Sequence, residues 1–138
     1  MCGIAGLLGN GSLEDAISMA SAIGHRGPDG SGDFQASVEQ TDGSVAFSHA
    51  RLSIIDLDGS QQPIHSDHGC VLMVNGEIYN HKKIKSELQD YPFRTAGDSE
   101  TILALHRAHS WNRTPGDNPA QRHVKWVSKL DGMWGFSL

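Results

Sequence analysis

The sequence predicts a single domain that mixes β-strands with α-helices. Three observations lead there. A length of 138 residues suits one core. Short apolar runs at Ile4–Leu8, Val45–Ala50 and Cys70–Val74 have strand character, while apolar residues recur at helical spacing after Ser12, after Asn80 and after Glu100.

Composition narrows the function. Hydrophobic residues make up 38% and charged residues 20%, as expected of a globular chain. A net charge of −5 and the lack of any Lys/Arg cluster argue against a nucleic-acid or anionic-membrane partner, leaving small neutral or zwitterionic ligands. No apolar run approaches the ~20 residues of a membrane span. The first residues lack the basic and apolar regions of a signal peptide, so a cytoplasmic, reducing compartment is expected, where Cys2 and Cys70 stay unpaired.

Taken in order, Ile4 to Leu8 reads as a buried strand, its glycines Gly3, Gly6 and Gly9 admitting close backbone approach. Ser12 reads as the cap of a helix over Leu13–Ala22, with Glu14 and Asp15 in its first turn and Gly24 as its stop. His25-Arg26-Gly27-Pro28-Asp29-Gly30-Ser31-Gly32 is a structured loop. Val45–Ala50 and Leu52–Ile55 read as consecutive strand segments interrupted by Arg51. That arginine either holds its head in water at a strand end or pairs with an anion in a cleft. Cys70–Val74 reads as a central strand ending in a loop that places the Asn75 amide and the Gly76 N–H at the mouth of a sheet. Asn80 caps a helix to Gln89, and Asp98 caps another from Thr101 to His109. Ser110–Gln121 reads as a loop, and Leu130–Phe136 as a turn entering a last strand. His65/His68 and His106/His109 are each three apart but lack the further converging ligands of a metal site, so no metal is expected.

Cys2 carries the most specific chemistry. Once Met1 is removed, thiol and α-amine share one residue, and the two groups ordinarily titrate within about one unit of each other. The amine can then take the thiol's proton, and no separate histidine is needed.

Seven pieces run through the chain in a recognisable order: Met1-Cys2-Gly3-Ile4, His25-Arg26-Gly27-Pro28-Asp29, Arg51-Leu52-Ser53-Ile54-Ile55-Asp56, Gln62-Pro63, Asn75-Gly76-Glu77-Ile78-Tyr79-Asn80, Asp98-Ser99-Glu100 and Leu130-Asp131-Gly132-Met133. Together they resemble the class II glutamine amidotransferase domain, an N-terminal-nucleophile hydrolase, in the form that opens glutamine-using asparagine synthetases. The resemblance implies an α+β fold, an αββα sandwich of two antiparallel sheets lacking its last strands, over a domain of residues 2–138. It implies a glutamine amidohydrolase that forms a Cys2 thioester and releases glutamate and ammonia without a cofactor. Cys2, Asn75 and Gly76 are its expected catalytic groups. Arg51, Leu52, Ser53, Ile54, Ile55, Asn75, Gly76, Glu77 and Asp98 are its expected glutamine contacts. The family's Ser-Gly-Gly-Leu-Asp-Ser synthetase motif is absent from this sequence, so the acceptor of ammonia is expected to be a separate ATP-dependent synthetase chain. A second copy of this chain is a further expected partner, across an uncovered sheet edge. The alternative is a binding subunit that docks glutamine without turning it over.

Overall fold

A computed structural model describes residues 1–38, 43–54, 59, 61–110 and 118–138. Strands β1 (Gly3–Gly9), β2 (Gly30–Ser37) and β3 (Ser44–Arg51) form an antiparallel sheet in the order β1-β3-β2. Strands β4 (Ile64–His65), β5 (Val71–Ile78) and β6 (Gly132–Ser137) form a second antiparallel sheet in the order β4-β5-β6. Helix α1 (Leu13–Ala22) lies on the first sheet, and α2 (His81–Glu87), α3 (Glu100–Ser110) and α4 (Pro119–Val127) lie on the second. The expected layered α+β arrangement is therefore present.

Helix α1 begins where local chemistry fixes it. The Ser12 hydroxyl accepts from the Asp15 N–H at 3.1 Å and the Asp15 carboxylate accepts from the Ser12 N–H at 3.0 Å, a reciprocal cap. Ala16 and Ala20 are its buried residues, so only small side chains separate it from the sheet. The larger core is on the other side. Leu72, Val74 and Ile78 of β5 bury against Ile84 of α2, Ile102, Leu103 and Leu105 of α3, and Trp126 of α4. Each such side chain contributes about 1.5–3 kcal/mol on leaving water.

Alternation along β5 then fixes its other face. With Leu72, Val74 and Ile78 on the helix side, Met73, Asn75 and Glu77 face the first sheet. The buried His49 of β3 crosses that interface, its Nε2 lying 3.2 Å from the Val74 carbonyl oxygen.

Several elements differ from the sequence reading. β1 is an edge strand among the described residues, and its Leu8 is 82% exposed, so the segment is not buried throughout. β3 ends at Arg51, and Leu52–Ile54 is irregular; Ile55 and Asp56 lie outside the described residues. Asn75-Gly76 belongs to the interior of β5 and not to a loop after it. Asn80 precedes α2 without capping it by its side chain; its amide instead donates to the Lys129 carbonyl and accepts from the Asp131 N–H, at 2.8 and 3.0 Å. The region expected to be a loop up to Gln121 contains the start of α4, capped by Asn118, while residues 111–117 lie outside the described set. β2 and β4 are strands that the sequence pattern does not announce.

Candidate active site

The amino end of the chain opens a cleft lined by Cys2, Arg51, Leu52, Ile54, Gln62, Gly76, Glu77 and Asp98, with Met1, Val74, Ser99 and Met133 completing the wall. Cys2 sits just before β1, and the backbone of Leu52 holds its sulfur from both directions. The Leu52 N–H donates to Sγ at 3.3 Å, and the thiol donates to the Leu52 carbonyl at 3.6 Å. The sulfur is thereby fixed in position, with a donor already aimed at it.

The loop before β2 supports this arrangement. Arg26 Nε donates to the Cys2 carbonyl at 3.0 Å, and the Asp29 carboxylate accepts the Ser53 N–H at 2.8 Å. The Asp29 N–H donates in turn to the Arg51 carbonyl at 2.9 Å. Gly27 makes the close approach possible: a Cβ there would lie 2.2 Å from the Ala50 oxygen. The loop thus clamps the chain segments that carry Cys2 and Arg51.

On the opposite wall, β5 supplies Gly76, with φ +152°. A Cβ at that position would stand 2.1 Å from the Met133 oxygen and 2.5 Å from the Trp134 Cα, so β6 admits only glycine there. Neighbouring Asn75 has its Oδ1 buried with no hydrogen-bond partner among the described residues, and its side chain is not among those lining the cleft. Glu77, on the same face of β5, does line it.

Asp98 departs from its expected role as a helix cap. Its buried carboxylate accepts the Ile78 N–H at 2.7 Å through Oδ2 and the Ser99 hydroxyl at 3.4 Å through Oδ1, while the backbone oxygen of Asp98 takes the Thr101 N–H and hydroxyl. It is held facing the cleft by β5.

Of the expected contacts, Cys2, Arg51, Leu52, Ile54, Gly76, Glu77 and Asp98 come together around one cleft. Ser53 is engaged through its backbone with Asp29, and Ile55 lies outside the described residues. The sequence alone assigns no role to Arg26, Asp29 or Gln62; their contacts join residues far apart in the chain, and no local pattern announces them. Among the described residues no three His, Cys, Asp or Glu side chains converge as metal ligands.

Two antiparallel sheets with helices on their outer sides and Cys2 in the cleft have the αββα sandwich fold expected of an N-terminal-nucleophile hydrolase. Comparison with known proteins narrows this. The chain matches the glutamine amidotransferase domain family over residues 1–138. It is 40% identical over 146 residues to a glutamine-hydrolysing asparagine synthetase of Bacillus subtilis, covering 100% of this chain and 17% of that protein. It is 36% identical over 144 residues to the corresponding enzyme of Asparagus officinalis, covering 100% and 21%. The fold matches glutamine phosphoribosylpyrophosphate amidotransferase from B. subtilis with a TM-score of 0.69 at 16% identity, over 99% of this chain and 34% of that one. The chain belongs to the glutamine amidotransferase domain family. It spans about a fifth of the length of the curated relatives it matches.

Proposed function

We propose that the unit formed by residues 2–138 hydrolyses the side-chain amide of glutamine through a Cys2 thioester and supplies ammonia for asparagine synthesis by an ATP-dependent synthetase carried outside it. The observation that carries this reading is the Cys2 sulfur, fixed by the Leu52 backbone at the mouth of a cleft that also holds Arg51, Gly76, Glu77 and Asp98. In that setting a zwitterionic amino acid finds a complement at each end. The Arg51 guanidinium takes the α-carboxylate with two parallel N–H donors, and Glu77 and Asp98 take the α-ammonium.

The amide carbon then meets sulfur. With Met1 removed, the free amine of Cys2 accepts the thiol proton, the thiolate adds to the carbonyl carbon, and the oxyanion is met by the Gly76 N–H and, once the Asn75 amide turns toward the cleft, by its Nδ2. The amine passes its proton to the leaving nitrogen, ammonia departs, and water delivered through the same amine opens the thioester to glutamate. The reading places the reaction in the cytoplasm; no helix among the described residues is long and apolar enough to cross a membrane.

The test is to incubate the purified chain with glutamine, follow glutamate, and record the intact mass. A mass lacking Met1 together with turnover that disappears in Cys2→Ala supports the proposal. Turnover equal in the two proteins removes it.

A further inference from the structure

Strand β5 is unevenly paired. Its β6 edge is a continuous ladder: Met73, Asn75 and Glu77 lie opposite Ser137, Gly135 and Met133, and the Tyr79 N–H extends the same series to the Asp131 carbonyl at 2.8 Å. Antiparallel alternation turns the N–H and C=O of the intervening residues, Leu72, Val74, Gly76 and Ile78, to the other edge. There β4 covers only Val71 and Leu72, through His65 and Ile64. Proline at position 63 has no N–H with which to continue the ladder.

Side chains take over where β4 stops. Extending the β4 register backwards from Ile64 opposite Leu72 brings Gln62 opposite Val74. Its carboxamide makes both bonds that a strand residue would make: Nε2 donates to the Val74 carbonyl at 3.1 Å, and Oε1 accepts the Val74 N–H. The His49 imidazole bonds the same Val74 oxygen from the opposite sheet. Two residues beyond Gly76 along the same edge, the Asp98 carboxylate takes the Ile78 N–H. Between these side-chain caps lies Gly76, whose N–H points the same way, into the cleft that Gln62 and Asp98 both line.

From this we infer that Gln62 is a positioning residue for the reaction. By replacing a strand neighbour at Val74, it fixes the peptide planes that aim the Gly76 N–H at the oxyanion. The inference rests on the proposed glutamine hydrolysis and adds to it the device that preorganises one oxyanion donor. Gln62 acts through Val74, so it belongs to the rate of the chemical step and not to the grip on the amino acid's charged end.

Two variants test it in the full chain. Gln62→Met keeps the length of the side chain and removes both bonds, and Gln62→Glu keeps an acceptor for the Val74 N–H while setting an oxygen against the Val74 carbonyl. Expected for both is a fall in kcat of about 10- to 100-fold, the scale of a slight misplacement of reacting groups. KM for glutamine and calorimetric affinity for the product glutamate should stay within about threefold, because Arg51, Glu77 and Asp98 are untouched. Amide hydrogen exchange at Val74 and Gly76 should quicken in both. If Gln62→Met fails to fold, Gln62→Glu carries the comparison. Wild-type kcat in a folded variant overturns the inference and leaves the proposed hydrolysis standing. So does a raised KM with kcat intact, which would make Gln62 an ordinary ligand contact. A wild-type chain without turnover overturns both.

Discussion

The molecule carries two cysteine-bearing pockets, and judged by residue type alone the one around Cys70 is the more reactive. His65, Asp67, Arg94, Glu100, His106 and Arg107 stand there, with the Cys70 sulfur 3.9 Å from the His106 Nδ1. Yet the charges in that pocket are largely committed to one another. Arg94 pairs with Asp67. The buried Glu100 carboxylate accepts the Arg94 N–H, the Thr95 N–H and the Thr95 hydroxyl, and the Arg107 guanidinium lies 5.8 Å from the centre of the Tyr91 ring. Around Cys2 the polar groups border one cleft. A backbone N–H is aimed at sulfur, and Gly76 and Asp98 line the same space. The mere presence of reactive residue types does not make a site; what each polar group already bonds, and which space it borders, decides how a pocket can act.

The sharpest way to break that contrast is to remove each thiol in turn. Cys2→Ala should abolish glutamate formation, whereas Cys70→Ala should keep it within about twofold, as expected of a substitution away from the chemistry; a steady-state glutaminase assay reads both. Gly76→Ala comes next. Its Cβ meets the Met133 oxygen at 2.1 Å, so β5 and β6 must part. Activity should drop by about 100-fold, and denaturant titration should record a loss of about 1–3 kcal/mol from the strained backbone. Arg51→Lys keeps the charge and loses the two-pronged geometry. KM for glutamine should rise about tenfold or more with kcat nearly kept, the value of one charge-assisted hydrogen bond.

Glu100→Gln probes the Cys70 pocket. It should lower stability by about 1–3 kcal/mol, since a buried acceptor of three bonds is weakened, and leave KM unchanged. The smallest effect concerns pH. Burial pushes the His49 imidazole below its ordinary 6.5; the Val74 carbonyl opposes this and the Arg51 guanidinium reinforces it. The folded state therefore holds His49 neutral while the unfolded chain takes up a proton below pH 6.5, so stability is full above that pH and declines as pH falls beneath it. Urea titrations between about pH 7.5 and 5 should show the decline, and His49→Gln should flatten part of it.

Local chemistry is readable in the sequence and distant pairing is not. Helix α1 is legible to the residue because the Ser12–Asp15 cap and the alanine spacing lie within one stretch. β2 is not, since Gly30–Ser37 offers only Phe34 and Ala36 as apolar residues other than glycine. Helix α4 is amphipathic and anchors in the core through Trp126, but it opens at Pro119 directly after a Pro-, Gly- and Asn-rich stretch, so its first turn reads as loop. Leu52 and Ile54 suggest a strand by their apolar character, but that character serves the cleft wall. Arg51, Leu52, Ile54, Gly76, Glu77 and Asp98, all lying in the motif pieces, line one cleft, whereas Asn75 and Ser53 are not among its lining residues. The supports from Arg26, Asp29 and Gln62 span 24, 24 and 12 positions, and such contacts exist only once the fold does.

Closing the wall with β6 has a consequence for the newborn chain. Cys2 leaves the ribosome among the first residues, whereas Met133, which seats Gly76, follows long after it. Until then β5 lacks the neighbour that closes the wall opposite Cys2. On the proposed reading, glutamine hydrolysis has to wait for β6 to dock.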